Sequence, residues 1–260
     1  MLVGQAFPSE TYHPAMLTQP TGQAQGPYDA AFLPRLQMTL RPADEPVTEP
    51  VAKFGGQPVW LDEPAWPVNP RTEEPLVFIG QFRVPGEEVR LAYLFLDEDG
   101  RIMGMYPTDG EAVVLTQPDG RVPPFAVIGP PGTQGRTLWR WGRDETPIPV
   151  EYLVDLEPPT PESDAETDKM AAWGRSLRQE GPEIDLPCGD VLEDFLGGTA
   201  VFPNHRAFEL ENDSWQFLCQ FTDRGEEEEG YPFFLNFGYG SGFVFLSPDH
   251  REGRFLADCG

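Results

Sequence analysis

Positive charge is scarce in this sequence. Eighteen Lys and Arg stand against 43 Asp and Glu, giving a formal net charge of −25. Such a surface repels phosphate backbones, so nucleic acid is not an expected partner, and an anionic membrane surface is disfavoured for the same reason. A basic protein, in contrast, would be attracted and steered. Cysteine is equally scarce. Cys188, Cys219 and Cys259 are odd in number, which excludes a fully paired disulfide framework and suits a reducing compartment. Long hydrophobic runs are missing as well. Met1 to Ala30 has no apolar stretch of signal-peptide length, and no later segment is long enough to span a bilayer, so a cytoplasmic location is expected. Only His13, His205 and His250 supply imidazole, without ligand spacing, and neither a metal nor a cofactor is expected.

Proline (30) and glycine (27) are plentiful, and 12% of the chain is aromatic. Short strands joined by many turns follow from that composition. Residues 1–50 read as an N-terminal arm, partly packed, with one strand where Leu36, Met38 and Leu40 alternate. Residues 51–157 read as a first β-rich half, with strands over Leu76–Phe82, Val89–Leu96, Arg101–Tyr106, Ala112–Thr116 and Ile148–Leu156. Residues 158–182 read as an acidic linker and a helix. Asp164 or Thr167 caps that helix, Met170, Trp173 and Leu177 face inward, and Gly181-Pro182 stops it. Residues 183–260 read as a second β-rich half, opened by a short helix over Gly189–Leu196. The expected fold class is α+β, mostly β, with a few short helices.

The two halves share an ordered set of short motifs. Phe54-Gly55-Gly56-Gln57-Pro58-Val59-Trp60 aligns with Leu196-Gly197-Gly198-Thr199-Ala200-Val201-Phe202, and Phe78-Ile79-Gly80-Gln81-Phe82 aligns with Phe217-Leu218-Cys219-Gln220-Phe221. Tyr93-Leu94-Phe95-Leu96 aligns with Phe243-Val244-Phe245-Leu246, and 25 and 22 residues separate the second glycine from the glutamine. An internal duplication is the expected origin. Gly-Gly permits a turn at positive φ, and the aromatic after it, Trp60 or Phe202, is expected to anchor in the core. Simple alternation places Phe78, Gly80 and Phe82 on one face with Ile79 and Gln81 on the other, and divides the second copy likewise. A buried glutamine must find partners. Two readings stand: each ties a loop to its sheet, or both line a cleft between the halves bordered by Gly55, Gly56, Trp60, Trp66, Gln81, Gly197, Gly198 and Gln220.

Through Lys53-Phe54-Gly55-Gly56 with Pro58 and Trp60, Trp66-Pro67, Pro75-Leu76 running into Phe78-Ile79-Gly80-Gln81, and the second-half blocks up to Phe243-Val244-Phe245-Leu246, the chain resembles the YwqG-like family, a bacterial domain of unknown function. The resemblance covers residues 51–260 as one compact domain. It implies tandem β-rich halves and brings no established activity, cofactor or catalytic residue.

Other stretches carry little chemistry. Gly238-Tyr239-Gly240-Ser241-Gly242 lacks the following lysine and helix of a phosphate loop and the context of a nucleophile elbow, and reads as a turn. Glu226–Glu229 reads as a solvated loop, and Trp139-Arg140-Trp141 as an edge strand with one packed face. The expectation is therefore a non-catalytic binding protein with a basic protein partner, in one version an immunity-type inhibitor of a basic toxin. The alternative is a small-ligand binder or enzyme using the cleft.

Overall fold

The computed structural model describes residues 33–97, 108–141, 144, 146–176, 194–201, 215–222 and 240–259. The first half supplies β1 (Leu36–Pro42), β2 (Lys53–Gly55), β3 (Pro67–Val68), β4 (Val77–Val84), β5 (Arg90–Leu96), β6 (Ala112–Gln117), β7 (Val127–Ile128), β8 (Trp139–Trp141), β9 (Pro147–Pro149) and β10 (Glu151–Glu157). Helix α1 (Pro161–Ser176) follows, then β11 (Phe195–Leu196), β12 (Gln216–Thr222), β13 (Gly240–Leu246) and β14 (Gly253–Cys259). The protein is mostly β, and α1 is the one helix among the described residues.

Ten strands form a single sheet in the order β14-β13-β12-β11-β1-β10-β2-β4-β5-β6, with every neighbouring pair antiparallel. The sheet curls until its two edges meet. Gly253 of β14 packs so close to Val114 of β6 that a Cβ would lie 2.7 Å from the valine Cβ. Polar contacts finish the seam: the Arg121 N–H donates to Arg251 O, the Arg121 guanidinium pairs with Asp249 at 2.5 Å, and Arg254 lies over the Phe125 and Trp215 rings. Arg121 and a Ser247 hydroxyl together hold the Asp249 carboxyl well below the usual carboxylate range.

Curling gives each long strand two apolar surroundings, which is why the strands read as continuous apolar runs. Ala92, Leu94 and Leu96 of β5 point inward to a core shared by both halves, whereas Leu91, Tyr93 and Phe95 point outward. The outer face is sealed in the first half by residues 59–66 and 125–128, and in the second by Ala200, Val201 and Met170 of α1. At the centre of the inner core Phe82 stacks on Phe221 with centroids 6.1 Å apart, and Phe54 meets both rings edge-on. Each fully buried ring contributes roughly 1.5–3 kcal/mol relative to exposure.

The strand order is the same read from either end once β1 is exchanged with β10, β2 with β11, β4 with β12, β5 with β13 and β6 with β14. The registers obey the same exchange. Thr39 opposite Asp155 maps onto itself, and Met38 opposite Leu156 maps onto Leu40 opposite Val154. Gln81 lies opposite Tyr93 and Gln220 opposite Phe243, and both halves of the sheet carry a bulge at the corresponding place, between Phe78 and Gly80 and between Phe217 and Cys219.

Several expectations are corrected. The bulge inserts a residue and flips the parity of everything after it. Phe78 and Gln81 therefore face outward and Ile79 and Phe82 inward, rather than in the simple alternation, and Phe217 and Gln220 share the outer face likewise. Within the predicted arm, β1 is no appendage: it pairs with β10 and β11 in the middle of the sheet, with Met38 buried. Helix α1 begins at Pro161, with the Thr160 hydroxyl accepting from the Ser163 N–H, so half of the predicted linker is helical. Met170 is buried as expected, and Leu177 lies outside the described residues. Phe195–Leu196 is strand rather than helix, because it pairs with both β1 and β12. Ile148–Leu156 is divided between β9 and β10. Gly240–Gly242 opens β13 instead of turning, since Gly242 leaves room for the Phe221 and Phe255 rings within the barrel. Arg101–Tyr106, Glu226–Glu229, Phe202, His13, His205 and Cys188 lie outside the described residues.

Candidate functional site

Each diglycine forms a corner where a short strand leaves the sheet. All four glycines sit at positive φ: 68° and 62° at Gly55 and Gly56, 75° and 71° at Gly197 and Gly198. A Cβ at Gly55 would come within 2.0 Å of Val150 O, and one at Gly197 within 2.3 Å of Pro34 O. Conformation and space both demand glycine here.

The segment leaving each corner is held down by an amide. Gln81 Nε2 donates to Val51 O at 2.9 Å, and its Oε1 accepts from Val59 N at 2.9 Å. Gln220 Oε1 accepts from Val201 N at the same distance, and Val201 stands as far past Gly197 as Val59 does past Gly55. Two more side chains hold the first-half segment. Tyr93 donates its hydroxyl to Val59 O, and burial pushes that phenol up. Gln117 Oε1 accepts from the Leu61 and Asp62 N–H groups while its Nε2 donates to Glu63 O. Three consecutive strands thus clamp residues 59–63 against the outer face.

Trp60 is half-buried rather than a core anchor. Its ring stacks on Tyr93 at 5.1 Å and its Nε1 donates to Thr133 O. Trp66 is buried edge-on to Phe95, its Nε1 donating to Leu76 O at 2.8 Å. The eight predicted residues do not converge on one cleft. Gln81 and Gln220 lie in β4 and β12, five strand positions apart in either direction around the sheet, and both face outward. Gly55, Gly56, Trp60, Trp66 and Gln81 gather on one side of the barrel, and Gly197, Gly198 and Gln220 on the other. Trp139-Arg140-Trp141 does form a short strand, paired with Pro147–Pro149 outside the main sheet.

The functional groups missed by motif reading sit beside the corners. The chain has only two lysines, and Lys53 is completely buried. Its ammonium donates to Val47 O at 3.1 Å, Gln57 O at 2.7 Å and Glu151 Oε1 at 2.5 Å, which uses all three protons. Burial lowers the Lys53 pKa, and the Glu151 hydrogen bond and charge oppose that shift. At the corresponding place in the second half, Phe195 replaces Lys53 and Arg35 replaces Glu151, as the register of β11 with β1 requires. Arg35 lies 5.0 Å from the Phe195 ring centroid and pairs with Asp164 at 2.6 Å and Asp168 at 3.2 Å, both on α1. A lysine inside an otherwise apolar strand was the signal available for the first corner. The equivalence of Arg35 and Glu151 had none, because β1 and β10 share no motif.

Neither a family model, nor a curated protein, nor a solved structure matches this chain.

A cavity of about 510 Å³ lies at the first corner, lined by Val47, Gly56, Gln57, Pro58, Pro149 and Glu151 among others. A second, of about 410 Å³, lies under the clamped segment beside Asp62, Glu63 and Asp119. Among the described residues no group of three or more His, Cys, Asp and Glu is placed to hold a metal ion, and no helix is long and apolar enough to cross a membrane. Cys219 is buried in the inner core, and burial raises its thiol pKa well above the ordinary value, which favours the unreactive protonated form.

Proposed function

We propose that this chain is a YwqG-like protein that binds rather than catalyses, and that its partner is a basic protein. The charge carries the reading: 43 acids against 18 bases, with acids such as Asp44, Glu45, Glu74, Glu87 and Glu88 exposed. A surface so biased accelerates encounter with a positive partner and rejects negative ones. The geometry of the glutamines supports this reading over the alternative. Gln81 engages Val51 O and the Val59 N–H, Gln220 accepts from the Val201 N–H, and the two stand on different sides of the barrel, which supports a loop-tying role for each. In the more specific version the protein works in the cytoplasm as an immunity-type inhibitor that masks a basic toxin. The matched registers support descent of both halves from one duplicated module.

The test is interferometry of the immobilised chain against a panel of purified basic proteins, nucleases included, and acidic proteins of matched size. The expected outcome is saturable one-to-one binding of a basic partner that persists at about 0.15 M ionic strength, where screening acts beyond ~8 Å. Only unsaturable attraction, vanishing at that salt, would overturn it.

A further inference from the structure

The two corners are built alike and finished differently. In the second half the chain covers its own corner: α1 lies against it, and Asp164 and Asp168 engage Arg35, whose side chain is 6% exposed. In the first half the equivalent residue is an acid, Glu151, and it lines the open cavity of about 510 Å³. Glu151 Oε1 takes both the Lys53 ammonium and the Val47 N–H, and Oε2 takes neither. Gly56 makes the room: a Cβ there would lie 2.2 Å from the Glu151 Cδ. Lys53 has no donor left for an anion, so among the described residues the cavity offers a carboxylate oxygen and no free cation.

We infer that this cavity receives one arginine side chain of the basic partner, in the place that α1 covers on the other side. This rests on the reading of the chain as a protein-binding module. A carboxylate has about four lone-pair sites and can serve a guanidinium and an ammonium together. Charge-assisted bonds of this kind are the stronger class, and arginine matches carboxylate geometry better than lysine. Val47, Pro58, Val59 and Pro149 give the methylene stem an apolar wall. The net charge of −25 favours the cation from a distance.

The test titrates the ¹⁵N-labelled full chain with acetyl-arginine amide and with its uncharged citrulline counterpart. The arginine probe is expected to shift the Gly56, Gln57 and Val59 amides saturably, and citrulline is not. Glu151→Gln should abolish the response. Because that change also disturbs the partner of Lys53, Thr48 provides a second route: it is exposed at the cavity rim, and changing it leaves both members of the Lys53–Glu151 pair in place. Thr48→Arg should weaken the probe about ten-fold and Thr48→Glu should strengthen it. Equal responses to arginine and citrulline, or shifts remote from Gly56, overturn the proposal. If the probe binds this cavity while no basic protein binds the chain, the partner reading fails and the pocket stands. If a basic protein binds and the probe neither binds nor competes, the pocket fails and the partner reading stands.

Discussion

At one diglycine corner the molecule buries a lysine against a glutamate; at the other it lays an arginine across a phenylalanine and holds it with a helix. The backbone is the same at both places, with the same bulge, the same pair of positive-φ glycines and the same amide bonded to the fourth residue past the first glycine. The comparison separates two kinds of residue. Glycines and glutamines set the shape of the corner and are kept in both halves. Side chains at 53 and 195, and at 151 and 35, decide what the corner faces, and these differ in charge. Residues that set the backbone and residues that set the local charge are adjacent here but separable.

The largest effects are expected where that separation is cut at the first corner. Glu151→Ala leaves the Lys53 ammonium fully buried without its carboxylate, a loss of about 3–5 kcal/mol in urea denaturation. Lys53→Met should cost less, because the Glu151 left behind lines a cavity that water can enter. Equal losses would mean that the carboxylate is as enclosed as the lysine. Next come the amides. Gln81→Ala removes the partner of the part-buried Val59 N–H and Gln220→Ala that of the buried Val201 N–H, and each should cost about 1–3 kcal/mol. A marked inequality between them would break the equivalence of the halves.

Arg35→Met should act more gently. Its acids, Asp164 and Asp168, have side chains 50% and 71% exposed, so the ion pairs themselves contribute only about 0–1 kcal/mol. The readout is local: amide exchange in α1 should accelerate while that of β4 and β5 stays unchanged. The smallest effect belongs to His250, in the turn between β13 and β14. Its first-half counterpart, the connection between β5 and β6, contains no histidine. Burial, and then the nearby Arg90 charge, lower the His250 pKa below its ordinary 6.5, against a smaller opposing pull from Asp249. The unfolded chain therefore takes up the proton more readily, so this contribution is present above pH 6.5 and is lost as the pH falls below that value. His250→Asn, which tolerates the φ of 55° there, should flatten that limb of the stability–pH curve.

Much of the framework was legible in the sequence because its constraints are local. Gly-Gly marks a place where positive φ is available, as both pairs use it, and a buried glutamine within an apolar strand must find a bonding partner. What depended on pairing was not legible. A bulge changes which residues share a face; Gly80 hints at one in the first half, yet Phe217-Leu218-Cys219-Gln220-Phe221 shows no mark of one until its partner strand is known. Gly189–Leu196 read as helix because Gly-Gly also stops helices, although the repeat itself had aligned Leu196 with strand residue Phe54. The central strand β1 passed for part of an arm, since seven residues of modest alternation reveal nothing of two neighbours drawn from distant segments. The charge exchange between Glu151 and Arg35 was hidden for the same reason: it is visible only through registers with β2 and β11.

Hydrogen exchange at the Val59 and Val201 amides tests the equivalence of the corners most directly. Both N–H groups should be strongly protected. Gln81→Ala should release only Val59, and Gln220→Ala only Val201. Fast exchange at either amide in the unmodified protein, or release of both by a single substitution, would contradict two independently clamped corners on one sheet.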